Sequence, residues 1–300
     1  MGNFLFYRGT GFFKNQHNLE IYSVIQNFTQ MKNKFLVLCA FVLACSFTML
    51  KTKPTIYIIG DSTVRNGSGA GSDGLWGWGS FMNQQFDTVK VKVENHAIGG
   101  RSSRTFLTEG RWDKIMTKLK KGDYVIMQFG HNDGGSLNDP RRRASLKGSA
   151  DDSAGSTDAM GRAETVLTYG AYLRRMSREA VDRGANVLLL TPVPRNRWAG
   201  GKVLRSSSDY ALWTREAGKL ARVPVLDLNA LLADAYDAIG AQRVAELFHG
   251  DWTHTSPDGA AFTASILHRA LSTCKELRWT SLLETVQGAT ETVKDIPDLK

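Results

Sequence analysis

Five short apolar runs, at 56–59, 89–94, 124–129, 186–190 and 223–226, are separated by longer stretches in which apolar residues recur at helical spacing. Runs that are apolar at consecutive positions suit strands buried on both faces. Strands alternating with helices suit a parallel sheet covered on both sides. The pattern predicts helices over 111–120, 164–183, 208–221 and 229–239, with Gly184 and Gly240 as stop signals. Ser256-Pro257-Asp258 opens one more helix, because serine suits the N-cap, proline the first helical position and a carboxylate the positive end of the helix dipole. Between 134 and 161 the chain is rich in Gly, Ser, Asp and Arg without a hydrophobic period, which predicts a long surface loop. Leu277, Trp279, Leu282 and Leu283 suggest a short helix before a polar tail.

The 300 residues, 42% hydrophobic and 22% charged, suffice for one substantial core. Met31-Lys32-Asn33-Lys34 followed by the apolar run 35–45 has the charged and apolar regions of a secretory signal, and the run is short for a membrane span. Val42-Leu43-Ala44-Cys45 also resembles the bacterial lipoprotein cleavage box, in which the cysteine becomes the lipidated first residue. The expected organisation is an extension and leader over 1–50, a folded domain over 54–275 and a tail over 276–300. The expected location is secreted, periplasmic or surface-anchored, with simple cleavage and lipidation at Cys45 as alternatives. Cys274 is then the only cysteine of the folded part, so neither an intradomain disulfide nor a zinc site is expected.

The net charge is +9; the first fifty residues hold four basic and one acidic side chain, which leaves +6 for the rest. A basic excess suits a polyuronate, a nucleic acid or a membrane surface. Arg141-Arg142-Arg143 has no aromatic platform or recognition helix beside it, so nucleic acid is not expected as a partner. The glycine-rich stretch 67–79 lacks the Gly-Lys-Ser/Thr ending of a phosphate loop. Trp76, Trp78 and Trp198 offer faces for a sugar, with packing at the rim of the core as the equal alternative.

In open α/β sheets ligands bind beyond the carboxyl ends of the strands. Ser62 follows the first run there, Gly100 the second, Asn132 the third and Arg195 the fourth. A serine hydroxyl attacks an ester only with a base, an orienting carboxylate and donors for the developing oxyanion. Of six histidines, His254 stands three residues after Asp251, close enough for the carboxylate to take Nδ1–H and leave Nε2 for Ser62. Taken alone, that spacing favours a helix-capping loop, and Ser62 reads as a turn residue. The backbone N–H groups of Ser62 and Gly100 and the Asn132 amide are candidate oxyanion donors. Arg101, Arg104, Arg195 and Arg197 are candidate partners for a carboxylate on a substrate, with ordinary surface charge as the other reading.

Gly60-Asp61-Ser62, Gly100 within Ala97-Ile98-Gly99-Gly100-Arg101-Ser102, Gly130-His131-Asn132-Asp133 and Asp251-Trp252-Thr253-His254 occur in that order. In these blocks the chain resembles the SGNH (GDSL-like) hydrolase superfamily across roughly residues 54–272. The resemblance implies a three-layer α/β/α sandwich with a five-stranded parallel sheet. The longer strings Gly60-Asp61-Ser62-Thr63-Val64, Gly100-Arg101-Ser102-Ser103-Arg104, Phe129-Gly130-His131-Asn132-Asp133-Gly134-Gly135-Ser136 and His254-Thr255-Ser256-Pro257 look like rhamnogalacturonan acetylesterases. That likeness implies removal of acetyl groups from pectic polysaccharide or oligosaccharide. Ser62 is then the nucleophile, His254 the base and acid, Asp251 the orienter and Ser62, Gly100 and Asn132 the oxyanion hole, with no metal or cofactor required. Deacetylation of another glycan such as xylan, or of small esters, is the near alternative, and a silent glycan-binding protein the distant one. Membrane contact is expected only through the leader or a lipid on Cys45.

Overall fold

The computed structural model describes residues 23–24, 26–36, 53–65, 71, 73–158, 160–206, 208–274 and 279–283. The chain divides into two compact units, Met1–Thr52 and Lys53–Lys300. In the first, residues 26–36 are helical and exposed. The leader run 37–45 with Cys39 and Cys45, most of the extension before it, residues 66–70 and 72 of the glycine-rich stretch, and the tail beyond 283 lie outside the described residues. No helix among the described residues is long and apolar enough to cross a membrane.

In the second unit the strands are, in chain order, β1 (Thr55–Gly60), β2 (Lys92–Asn95), β3 (Tyr124–Gln128), β4 (Ser153–Thr157), β5 (Ala163–Leu167), β6 (Asn186–Leu190), β7 (Trp198–Ala199), β8 (Lys202–Val203) and β9 (Val225–Leu226). Five form one sheet in the order β2-β1-β3-β6-β9, with every pairing parallel. Successive side chains of a strand point to opposite faces, so the apolar run 56–59 of β1 feeds two cores. Ile56 and Ile58 pack with Leu228, Leu232, Phe262 and Ile266 of the helices Leu228–Glu246 and Pro257–Thr273. Tyr57 and Ile59 pack with Phe106, Trp112, Leu173 and Met176 of the helices Ser103–Thr108, Arg111–Met116 and Tyr169–Asp182. The result is the α/β/α sandwich expected from the alternation of elements. Each fully buried aliphatic or aromatic side chain contributes about 1.5–3 kcal/mol to it.

The sheet order places the site. From β1 the chain moves outward to β2 and then returns to pair β3 with the other edge of β1, so the crevice lies at the carboxyl ends of these three neighbours. Beyond them, His96 N–H donates to the Ile58 carbonyl at 2.8 Å and Ile98 N–H to the Gly60 carbonyl at 3.0 Å, which laces the loop after β2 to β1.

Several boundaries differ from the sequence reading, among them the helix expected over 111–120, which ends at Met116. The second run begins as a strand only at Lys92, because Asp87 closes a turn over Val89 and Lys90 and leaves Val89 exposed. The predicted helix 164–183 starts at Tyr169, capped by Thr168. Residues 163–167 before it form β5, which pairs antiparallel with β4, so the stretch 134–161 is in part a hairpin rather than a loop. One boundary holds: Gly240 stops the helix that begins at Leu228, at a φ of 82°, and a second helix follows it to Glu246. The packed core also passes the 275 boundary: Trp279 is buried edge-on to Tyr124, and Leu283 bridges to Phe86.

Candidate active site

The turn after β1 is fixed from behind. Asp61 is fully buried, and its Oδ1 accepts from the Thr63 N–H and hydroxyl at 2.9 and 2.8 Å. Thr63 Oγ1 accepts in turn from Gln128 Nε2 at 2.7 Å, and Gln128 Oε1 from the Trp78 indole at 2.9 Å. Residues 61 and 63 are thereby held inward, and Ser62 between them is half-buried.

His254 Nε2 lies 2.8 Å from Ser62 Oγ, and its Nδ1 lies 2.6 Å from Asp251 Oδ2. A carboxylate can only accept, so Nδ1 carries the proton and Nε2 is free to accept from the serine hydroxyl. Asp251 Oδ1 also accepts from the Thr253 and His254 backbone N–H groups at 2.6 and 2.7 Å. Burial raises the Asp251 pKa, but the hydrogen bonds from His254 and Thr253 outweigh it and hold the carboxyl below the usual range. The loop is clamped to the serine side of the site: Trp76 N–H donates to the Thr255 carbonyl at 2.9 Å, and Thr255 Oγ1 donates to the Trp76 carbonyl at 2.6 Å. Ser256 then caps the helix Pro257–Thr273 through its Oγ, as the Ser-Pro-Asp string suggests.

The candidate oxyanion donors come from the ends of three adjacent strands. Among the described residues neither the Ser62 nor the Gly100 N–H finds an acceptor. Gly100 holds a φ of 74°, a left-handed conformation that favours glycine. Asn132 Nδ2 donates to the Arg101 carbonyl at 3.1 Å, which leaves its second N–H, and Asn132 Oδ1 accepts from Arg143 Nη1 at 2.8 Å. Next to Asn132, the buried Asp133 accepts from the Ser103 N–H and hydroxyl and from the Ser145 hydroxyl. Burial pushes its carboxyl up to about 7 against those hydrogen bonds, with Asp61 adding to the rise. His131 is pushed down chiefly by burial, and its buried Nε2 finds no partner among the described residues.

The arginines separate. Arg104 is fully buried: its guanidinium pairs with both Glu164 oxygens and donates to the Leu137 and Ala144 carbonyls. Its expected role toward substrate is therefore corrected, since every direction from the group is filled by protein. Arg101 donates to Glu109 at 3.0 Å and to the Gly99 carbonyl at 3.2 Å, and a third of its side chain is exposed. Arg195 is exposed and donates to Thr253 Oγ1 at 3.1 Å. With His131, Pro194, Arg197 and Tyr210 it lines a cavity of about 310 Å³ beside the triad.

Trp78 is core, Trp76 leans on Phe81 and Trp198 bonds Asn196. Trp252, between Asp251 and His254, is exposed, with the Arg197 guanidinium 5.9 Å from its ring centre. Its position inside the Asp-x-x-His string was the signal for it. Among the described residues no three His, Cys, Asp or Glu side chains gather as a metal-holding group. The arrangement is suited to acyl transfer: an oriented base on a hydroxyl, with unengaged donors on neighbouring strand ends.

The family model for the GDSL-like Lipase/Acylhydrolase family matches residues 58–262. A rhamnogalacturonan acetylesterase of Emericella nidulans is 36% identical over 217 residues, which cover 72% of this chain and 84% of that protein. The probable rhamnogalacturonan acetylesterase YesY of Bacillus subtilis is 30% identical over 221 residues, covering 72% and 91% respectively. Among solved structures, the Bacillus subtilis protein YxiM superposes with a TM-score of 0.60 at 26% identity, covering 74% of this chain and 56% of that one.

Proposed function

Since the chain belongs to the GDSL-like lipase/acylhydrolase family, we propose that it is a carbohydrate esterase that removes O-acetyl groups from pectic rhamnogalacturonan. The observation that carries the reading is the continuous chain from Asp251 through His254 to Ser62 Oγ, at 2.6 and 2.8 Å. In the reaction His254 Nε2 takes the Ser62 proton as Oγ bonds to the acetyl carbon, and the carbonyl oxygen becomes an oxyanion facing the Ser62 and Gly100 N–H groups and the Asn132 amide. The C–O bond to the sugar then breaks, and His254 returns the proton to the departing sugar oxygen. Water attacks the acetyl-enzyme with its proton passing to His254, and acetate leaves as Ser62 recovers it.

The identities to two proteins with rhamnogalacturonan acetylesterase names support the pectic substrate. Arg195 and Arg101 suit the carboxylates of such a polymer, because a guanidinium offers paired donors to an anionic oxygen pair. The layout of residues 31–45 supports export, with cleavage or a lipid on Cys45, and the mass of the mature N-terminus distinguishes these from a retained leader.

Acetate release from acetylated rhamnogalacturonan, acetylated xylan and a chromogenic acetate tests the whole reading, with wild type and Ser62→Ala compared. The expected outcome is release from the pectic polymer that falls by three orders of magnitude or more, on the order of 10³–10⁶, in the variant. Equal rates for the two proteins sink the triad. Release from xylan alone retains the mechanism and discards the substrate.

A further inference from the structure

Arg143 ends the run Arg141-Arg142-Arg143, yet its surroundings differ from those of the exposed Arg141. The residues after it are pinned. Ala144 is buried with its carbonyl accepting from Arg104, and Ser145 N–H donates to the Asp133 carbonyl at 2.9 Å. The half-buried Arg143 guanidinium is thereby delivered behind the loops after β2 and β3. One nitrogen, Nη1, donates to Asn132 Oδ1 at 2.8 Å and reaches the Gly100 carbonyl at 3.4 Å. Both acceptors belong to residues of the oxyanion pocket, and a Cβ placed on Gly100 would meet the same nitrogen at 3.6 Å.

An amide has one accepting and one donating end, and turning it over exchanges them. A guanidinium cannot accept, so Arg143 compels Asn132 to present Oδ1 to it. The Arg101 carbonyl cannot donate, so it compels Nδ2 to the opposite side. Only with that orientation does the free N–H of Asn132 remain available to an oxyanion; a turned amide would present an oxygen to developing negative charge. Donors aimed before the reaction begins act without reorganisation, which is where most of their value to the transition state lies.

We propose that Arg143 is a positioning residue for the oxyanion pocket, orienting the Asn132 amide and bracing Gly100 through its carbonyl. This rests on the acyl-transfer reading of the site, and its test uses a chromogenic acetate so that no polysaccharide contact contributes. Arg143→Met removes both hydrogen bonds at similar length, and Arg143→Lys keeps the charge and one donor. Each is measured alone and combined with Asn132→Ala. The expected result is a fall in kcat of about ten- to a hundredfold for Arg143→Met with KM within about twofold, Arg143→Lys lying between it and wild type. In the Asn132→Ala background the same substitution should cost less than about threefold, because the group it orients is gone.

Losses that multiply in the double variant, or a loss confined to KM, overturn the proposal. A merely structural arginine would also lower kcat equally in both backgrounds. Circular dichroism and the unfolding midpoint accompany every variant, and if Arg143→Met does not fold, Arg143→Lys in the two backgrounds carries the same comparison. Unchanged hydrolysis in Ser62→Ala would sink the acyl-transfer reading itself, whereas hydrolysis that needs Ser62 and ignores Arg143 overturns this inference alone.

Discussion

Two carboxyl groups near Ser62 sit in opposite environments. Asp251 is partly exposed and takes hydrogen bonds that hold it below the usual range, while burial pushes Asp133 up to about 7. A carboxyl raised in the folded state binds a proton there that the unfolded chain has already released between about pH 4 and 7. Its contribution therefore favours folding below about pH 4 and is lost as pH rises through 7. The lowered Asp251 acts in the reverse sense, contributing above the ordinary carboxylate range and losing that contribution as pH falls through its folded value. Asp133→Asn keeps an acceptor for Ser103 and cannot ionise. Unfolding free energies from urea titrations between pH 4.5 and 7.5 should then fall for wild type relative to the variant, by something on the order of 3 kcal/mol across the interval. Parallel pH profiles would remove Asp133 as the titrating group. The meeting of Ser62, Asp251 and His254 was legible through the four blocks in their order along the chain, since the Asp-x-x-His spacing taken alone reads as a helix-capping loop. Arg104 and Arg143 were not legible. Each is an arginine in a polar stretch, and only the packed chain decides that one is sealed against Glu164 and the other turned onto Asn132.

Elements with strong apolar runs were the ones readable in advance, and β4 and β5 were not. In β4 every second residue is exposed and the others are small, so no hydrophobic period marks it. In β5, Glu164 stands at a half-buried position where a strand of this sheet would ordinarily show an apolar residue. The hairpin is tied to the helix Ser103–Thr108 by the ion pair from Glu164 to Arg104, with Arg104 fully buried and Glu164 16% exposed. Removing one member leaves a buried charge without its partner, which costs about 3–5 kcal/mol, whereas replacing both with apolar groups restores much of the loss. Glu164→Ala should therefore lower the urea midpoint strongly, and Arg104→Met/Glu164→Leu should recover at least half of that drop. Equal midpoints for Glu164→Ala and wild type would show that the hairpin is held by its strand pairing instead. The helix boundary at Thr168 was missed because Val166 and Leu167 fall at helical spacing from Tyr169 and Ala171 and extend that period backwards into the hairpin.

Across the whole molecule, the site gathers residues separated by 192 positions at the carboxyl end of the sheet, and the net charge of the chain is positive. A polymer of uronic acids is a polyanion, so its approach is favoured by that excess, most of all where exposed Arg195 and Arg197 stand beside the cavity next to His254. Exposed charges interact over about 10 Å at 0.1 M salt and over much less at higher concentrations. If pectic rhamnogalacturonan is the substrate, raising salt from about 0.02 M to about 0.3 M should raise KM for its acetylated oligomers severalfold while leaving kcat nearly unchanged. Neutral acetylated xylo-oligomers and a chromogenic acetate should respond by less than about twofold over the same range. Arg195→Gln should flatten the pectic response without altering the chromogenic rate, because its charge acts on the polymer and not on the acetyl carbon. A salt response of the same size on all three substrates would mean that salt perturbs the triad itself, and would remove charge as a basis for choosing pectin over xylan.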